Sequence, residues 1–206
     1  MIQARAVFAA LALLLLSGCG ALLGGATTPL DAFDLRAPQV DSAARATDRS
    51  LVVEIPDAGG ALDTDRIMIR PNPLQAQYLP GARWTDEAPQ MLQTVLLRAL
   101  EDTNALRYVG RRPLGGLGDI ALVSELTDLQ AEVGPEETVV ARMRITARLV
   151  RESDAEVLSS RSFQARVPIA STETMDVVQG LNTAADVVIG EMVTWVLRQI
   201  GARPTS

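Results

Sequence analysis

Val139-Val140-Ala141-Arg142-Met143-Arg144-Ile145-Thr146-Ala147-Arg148-Leu149-Val150 is the stretch that decides the fold. Val139, Ala141, Met143, Ile145, Ala147 and Leu149 alternate with Val140, Arg142, Arg144, Thr146, Arg148 and Val150. A period of two belongs to a strand with one buried and one wet face, the habit of antiparallel sheets. Arg151 to Glu156 supplies a turn, and Val157 to Val167 returns with Phe163, Ala165 and Val167 on one face. Upstream, Ile120 to Leu129 is mixed but strand-like. The three runs predict an antiparallel meander.

Two helical patterns flank these strands. Met91, Leu92, Val95, Leu96, Ala99 and Leu100 recur at three- and four-residue steps. Thr85 is placed to cap that helix, with Asp86 and Glu87 at its positive end and Pro89 in its first turn. The second helix is predicted from about Thr172 to Ile200, capped by Ser171 and stopped by Gly201. Shorter strands are expected at Leu51 to Ile55, Ile67 to Ile69 and Leu106 to Val109, with Phe33-Asp34-Leu35 as a short edge strand. The predicted fold class is α+β: an antiparallel sheet with two amphipathic helices packed on one face.

The chain has 206 residues, enough for one domain plus targeting and tether segments. Its formal net charge is −6, and every basic residue is Arg. Such a chain makes a poor general nucleic-acid binder, so no nucleic-acid partner is expected. The absence of His removes the usual general base and metal ligand. The absence of Lys removes Schiff-base and P-loop chemistry. A single Cys rules out an intrachain disulfide or a Cys-rich metal site. Carboxylate-only metal or glycosidase chemistry stays open in principle, but no cofactor, metal or catalytic residue is expected, and the chain reads as a non-enzyme.

Gly116-Leu117-Gly118-Asp119-Ile120-Ala121 matches a dinucleotide pattern, which requires a helix immediately after it. The run that follows lacks a helical stripe, so the segment reads as a loop between strands. The acidic pairs Asp63 with Asp65, Asp86 with Glu87, and Glu136 with Glu137 sit in turns and at a helix start, where solvated or capping roles suffice. Trp84 and Trp195 read as core residues packed between the helices. Arg142, Arg144 and Arg148 share the wet face of one strand, and Arg166 joins them from the next. A guanidinium stripe suits phospholipid head groups or an acidic partner. The plainer reading is a solvated sheet face.

The N-terminus carries Arg5, then the apolar run Ala6 to Leu16, then Leu16-Ser17-Gly18-Cys19. The run is shorter than the roughly 20 residues a spanning helix needs and suits a signal-peptide core. The tetrapeptide resembles the bacterial lipobox. That resemblance implies a diacylglycerol thioether on Cys19, cleavage before it, and acylation (palmitate or similar) of the new amine. Two or more acyl chains anchor stably. Gly20, rather than Asp, favours outer-membrane sorting by the same resemblance. The expected organisation is a signal peptide over 1–18, a lipidated tether over 19–50 and a folded domain over 51–206.

Leu51-Val52-Val53-Glu54-Ile55-Pro56, Asp65-Arg66-Ile67-Met68-Ile69-Arg70, then Leu74, Tyr78 and Arg83-Trp84 precede the first helix, and the last helix ends in Trp195-Val196-Leu197. This succession resembles the ABC-type transport auxiliary lipoproteins. The resemblance implies a lipid-anchored accessory on the periplasmic face of the outer membrane. Its implied partners are a periplasmic MCE-domain protein and an ABC permease and ATPase that move lipids or other hydrophobic molecules, with a homo-oligomeric ring as the implied assembly. The alternatives are a lipid carrier with its own cavity and an envelope-assembly lipoprotein unrelated to transport.

Overall fold

The computed structural model describes residues 29–115 and 118–204. The predicted meander is its spine. Element order is β1 (Asp31–Phe33), β2 (Ala43–Arg45), β3 (Thr47–Val53), β4 (Asp57–Ala58), β5 (Arg66–Asn72), β6 (Gln75–Trp84), α1 (Ala88–Asp102), β7 (Leu106–Gly110), β8 (Ile120–Val133), β9 (Val139–Arg151), β10 (Glu156–Ile169), α2 (Thr174–Gln199) and β11 (Arg203–Pro204). A single 3-10 turn, Pro135–Glu137, joins β8 to β9.

β8, β9 and β10 pair antiparallel along almost their whole length. The other edge of β8 departs from expectation. Three short strands line it in series, all parallel to it: β3 at Ile120 to Leu122, β4 at Glu125 and Leu126, and β5 at Gln130 to Glu132. β3 also pairs parallel with β7, and β1 with β6, while β5 and β6 form an antiparallel hairpin. The sheet is thus mixed and not purely antiparallel. β5 and β8 run parallel because the intervening β6, α1 and β7 carry the chain back to the end of the sheet from which β5 starts, a crossover that a parallel pair requires and a hairpin cannot supply. β6 has no counterpart in the sequence reading, since Pro80 and Gly81 interrupt its pattern. Gly81 has φ +71°, a conformation an L side chain rarely adopts.

The folded unit begins at Asp31. Residues 31–50 of the expected 19–50 tether therefore belong to the folded unit. Phe33 lies opposite Trp84, Leu35 is 1% exposed, and Thr47 already opens β3. Phe33, Leu35 and Val40 are too sparsely spaced to show a period. The signal peptide and Cys19 lie outside the described residues.

Ala141, Met143, Ile145, Ala147 and Leu149 are all buried, as their alternation requires. They face α2, whose Gly180 meets Ala141 and Ile169 closely. α1 packs on α2, β3 and β7. Gln93 of α1 is buried, donates Nε2 to the Val53 carbonyl at 2.8 Å and accepts from Arg111 Nε at 2.9 Å. One polar side chain thereby ties helix, sheet and loop while leaving neither end of its amide unpaired.

The helix starts differ from expectation. Glu87 occupies the N-cap of α1 without a side-chain bond to the helix backbone, and Thr85 instead donates its backbone N–H to the Phe33 carbonyl at 2.8 Å. Glu173 caps α2, and Ser171 supports it by accepting the Glu173 N–H at 3.0 Å and donating to Asp176 at 2.6 Å. Trp84 and Trp195 are both buried, but they do not pair with each other. Trp195 meets Phe163 of β10 edge-on at 5.6 Å between centroids.

Among the described residues no helix is long and apolar enough to cross a membrane.

Candidate functional site

β8 and β9 turn one face to the helices and the other to solvent, so polar residues of neighbouring strands meet on the outer face. Register brings Gln130 opposite Arg142 and Arg142 opposite Arg166. Across the parallel pair, Arg70 of β5 lies opposite Glu132 of β8. The result is a concavity of about 600 Å³ at the end of the sheet where the β5–β6 and β8–β9 turns lie. Arg70, Arg142 and Arg166 line it together with Asp128, Gln130 and Glu132. Pro73, Val133, Pro135 and Val140 supply apolar walls.

The floor is a linked polar network. Gln130 is 1% exposed; its Nε2 donates to Asp128 Oδ1 at 2.8 Å and Glu132 Oε1 at 3.0 Å, and its Oε1 accepts the Leu129 N–H at 2.9 Å. A fully paired buried amide of this kind holds its neighbours rigidly. Arg142 Nη2 stands 3.5 Å from Asp128 Oδ2, and its Nη1 stands 3.4 Å from Glu132 Oε1. Arg166 Nη2 approaches Glu132 Oε2 at 3.4 Å. These separations exceed the 2.7–2.9 Å or so of a strong charge-assisted bond. Arg142 Nε is buried and has no hydrogen-bond partner in the protein. Arg70 has no carboxylate within ion-pair distance among the described residues.

Of the four arginines singled out by alternation, the fold brings Arg142 and Arg166 to one site. Arg144 and Arg148 are on the same face but outside the concavity, and neither forms an ion pair among the described residues. Arg70, Asp128, Gln130 and Glu132 were not anticipated. The spacing Asp128-x-Gln130-x-Glu132 is itself a two-residue polar period continuing β8 past Leu129. Arg70 reaches the site only through the parallel pairing of β5.

The glycine-rich segment is not a nucleotide loop. Gly116 and Leu117 lie outside the described residues, but Ile120 opens a strand where the pattern needs a helix. Asp119 is instead bonded to Ser50, and Gly118 N–H donates to Glu152. Among the described residues no cluster of His, Cys, Asp or Glu is arranged to hold a metal ion.

Residues 33–193 match the model of a family described as ABC-type transport auxiliary lipoprotein component. Protein XCC0632 from Xanthomonas campestris is similar in structure, with a TM-score of 0.74 and 27% identity over 82% of this chain and 96% of that one. A second crystal structure, of an uncharacterised protein, gives a TM-score of 0.61 at 16% identity over 84% of this chain and 99% of the other. Hypothetical protein CT253 from Chlamydia trachomatis gives 0.51 at 8% identity, covering 75% of this chain and 98% of its own. The last two likenesses establish a shared fold and nothing further. No curated protein matches the sequence.

Proposed function

Since the chain belongs to the ABC-type transport auxiliary lipoprotein family, we propose that it is the outer-membrane-anchored accessory of an MCE-type transporter that moves lipids or other hydrophobic molecules through the periplasm. The observation that carries this reading is the family match over residues 33–193, joined to the lipobox-like Leu16-Ser17-Gly18-Cys19 upstream of it. Lipid on Cys19 holds the protein at the membrane. The folded unit from Asp31 onward docks a periplasmic MCE-domain protein and, through it, the permease and ATPase, as a homo-oligomeric ring. The protein performs no chemistry of its own. A carrier with a cavity between helices and sheet is the weaker reading, because Met143, Ile145, Leu149, Phe163, Met192 and Trp195 fill that layer.

In vivo crosslinking followed by purification of the tagged, lipidated protein tests the docking. Recovery of MCE-domain and ABC components is the expected result, and their absence overturns the reading. Cys19→Ser tests the anchor separately. The protein is expected to leave the outer-membrane fraction, and retention there would exclude lipid on Cys19 as its attachment.

A further inference from the structure

We infer that the concavity between Arg70, Arg142 and Arg166 binds the phosphodiester head group of an amphiphile, with Leu74 beside it as the contact for an acyl chain. This deepens the proposed role in lipid traffic and rests on that reading for its physiological meaning, but the binding itself is a property of this chain alone.

Three guanidiniums meet two carboxylates in the concavity, so it carries a surplus of positive charge. The donor surplus is larger. Each guanidinium offers about five N–H donors in a fork matched to phosphate or carboxylate. Asp128 and Glu132 already accept from Gln130 and stand at 3.4 to 3.5 Å from the arginines, so they satisfy few of those donors. Arg142 Nε is buried without an acceptor, and Arg70 has no carboxylate partner among the described residues. An anionic oxygen group supplies what these donors lack.

The charge balance limits which anion fits. Glu136 and Glu137 are exposed on the turn that follows Pro135, at the rim. They oppose a dianionic phosphomonoester more than a monoanionic phosphodiester. The walls are apolar at Pro73, Val133 and Val140, which a free phosphate would not use. Next to Pro73, Leu74 is 97% exposed at the tip of the β5–β6 hairpin. Asn72 holds that tip, accepting the Leu74 N–H at 3.1 Å and donating to Gln75 at 2.9 Å. A Leu held in water by a braced turn, beside a cluster of guanidiniums, is the arrangement an amphiphile with a phosphate needs.

Titration calorimetry on the purified lipidated protein, in a nonionic detergent free of phosphate, tests the site. The probes are dihexanoylphosphatidylglycerol, dihexanoylglycerol and inorganic phosphate. Saturable binding of the phospholipid is expected, with the other two weaker by about tenfold or more, the equivalent of losing one charge-assisted contact or its apolar counterpart. Arg70→Gln with Arg166→Gln is expected to weaken it about tenfold, and Leu74→Asp several-fold. Arg148→Gln, about 20 Å along β9 from Arg142, is expected to change nothing. Leu74→Asp alters only an exposed tip, so it decides the matter if the double variant fails to fold. Absence of saturable binding, equal binding of inorganic phosphate or of dihexanoylglycerol, or unchanged binding by a folded double variant or by Leu74→Asp overturns the inference. The crosslinking experiment reads docking independently. Intact capture with failed titration removes this site and leaves the transport role, whereas lost capture with intact titration does the reverse.

Discussion

Ser50, midway along the core strand β3, and Asp119, just ahead of β8, are bonded three ways. Ser50 N–H and Oγ donate to Asp119 Oδ2 at 2.6 and 2.9 Å, and Asp119 N–H donates to Ser50 Oγ at 3.1 Å. Arg107 of β7 adds a guanidinium 3.6 Å from the same carboxylate oxygen. The three strands are thereby pinned at one corner of the sheet.

This clasp makes a prediction about acid. The Ser50 backbone bond and then the Ser50 hydroxyl hold the Asp119 carboxyl below the ordinary carboxylate range, with Arg107 and Arg49 contributing and partial burial opposing. A depressed folded pKa means the stabilisation is complete above the unfolded value near pH 4 and drains as pH falls through the folded value. Ser50→Ala is expected to lower stability by about 1 kcal/mol at pH 7, a charged hydrogen bond discounted for solvent exposure. Thermal melts should show the gap to wild type narrowing below pH 4. A gap constant from pH 7 to 3 would separate the hydroxyl's contribution from the carboxylate charge.

Asp186 works in the opposite direction. Burial raises its carboxyl above the ordinary value. A raised folded pKa means that ionisation costs stability above that value and that the cost vanishes as pH falls toward the unfolded one. Asp186→Asn keeps an acceptor for Asn182, which donates at 3.2 Å. It should stabilise the protein slightly at neutral pH, by no more than the roughly 0.5 kcal/mol of a solvent-screened surface change. Chemical denaturation at pH 7 and pH 4 should show the advantage only at the higher pH.

Two glycines of α2 make a paired test. A Cβ at Gly180 would collide with Ile169 Cγ2 and lie 2.9 Å from Ala141 Cβ, which has no rotamer by which to move away. Overpacking of this kind costs about 1–3 kcal/mol, more than the roughly 1 kcal/mol that Ala gains over Gly in a helix. At Gly190 an added Cβ meets nothing within 4 Å. Gly180→Ala should therefore melt lower than wild type and Gly190→Ala higher, and scanning calorimetry of the two reads both signs.

Phe163 is 1% exposed, packs edge-on against Trp195 and carries the Arg161 guanidinium 4.9 Å from its ring centroid. Phe163→Ala should cost about 3–5 kcal/mol through lost burial and the cavity left behind. Phe163→Leu fills most of the volume and should cost clearly less. Equal losses in urea unfolding would place the stabilisation in ring geometry rather than in filled space.

Legibility followed the length of each repeat. In β9 the alternation persists from Val139 to Val150, and the helical patterns run from Met91 to Leu100 and over about Thr172 to Ile200. Periods that long leave one conformation able to bury the apolar set. β6 was hidden by Pro80 and Gly81 and β2 by having three residues, while the edge strand expected at Phe33-Asp34-Leu35 lies two residues earlier, as β1. The candidate site was half legible. Arg142 and Arg166 follow from alternation within the meander, whereas Arg70 joins only because β5 pairs with β8.

The amino-acid order alone settled the wet and dry faces of β9, the meander, the two amphipathic helices and the absence of His and Lys chemistry, because each follows from local periodicity or residue type. The direction of the early strands, the start of the folded unit at Asp31 and the meeting of Arg70 with Arg142 and Arg166 were settled by tertiary structure. Each depends on which edge of β8 a distant segment occupies. That choice turns on burial summed over the whole sheet, a quantity no short window of sequence contains.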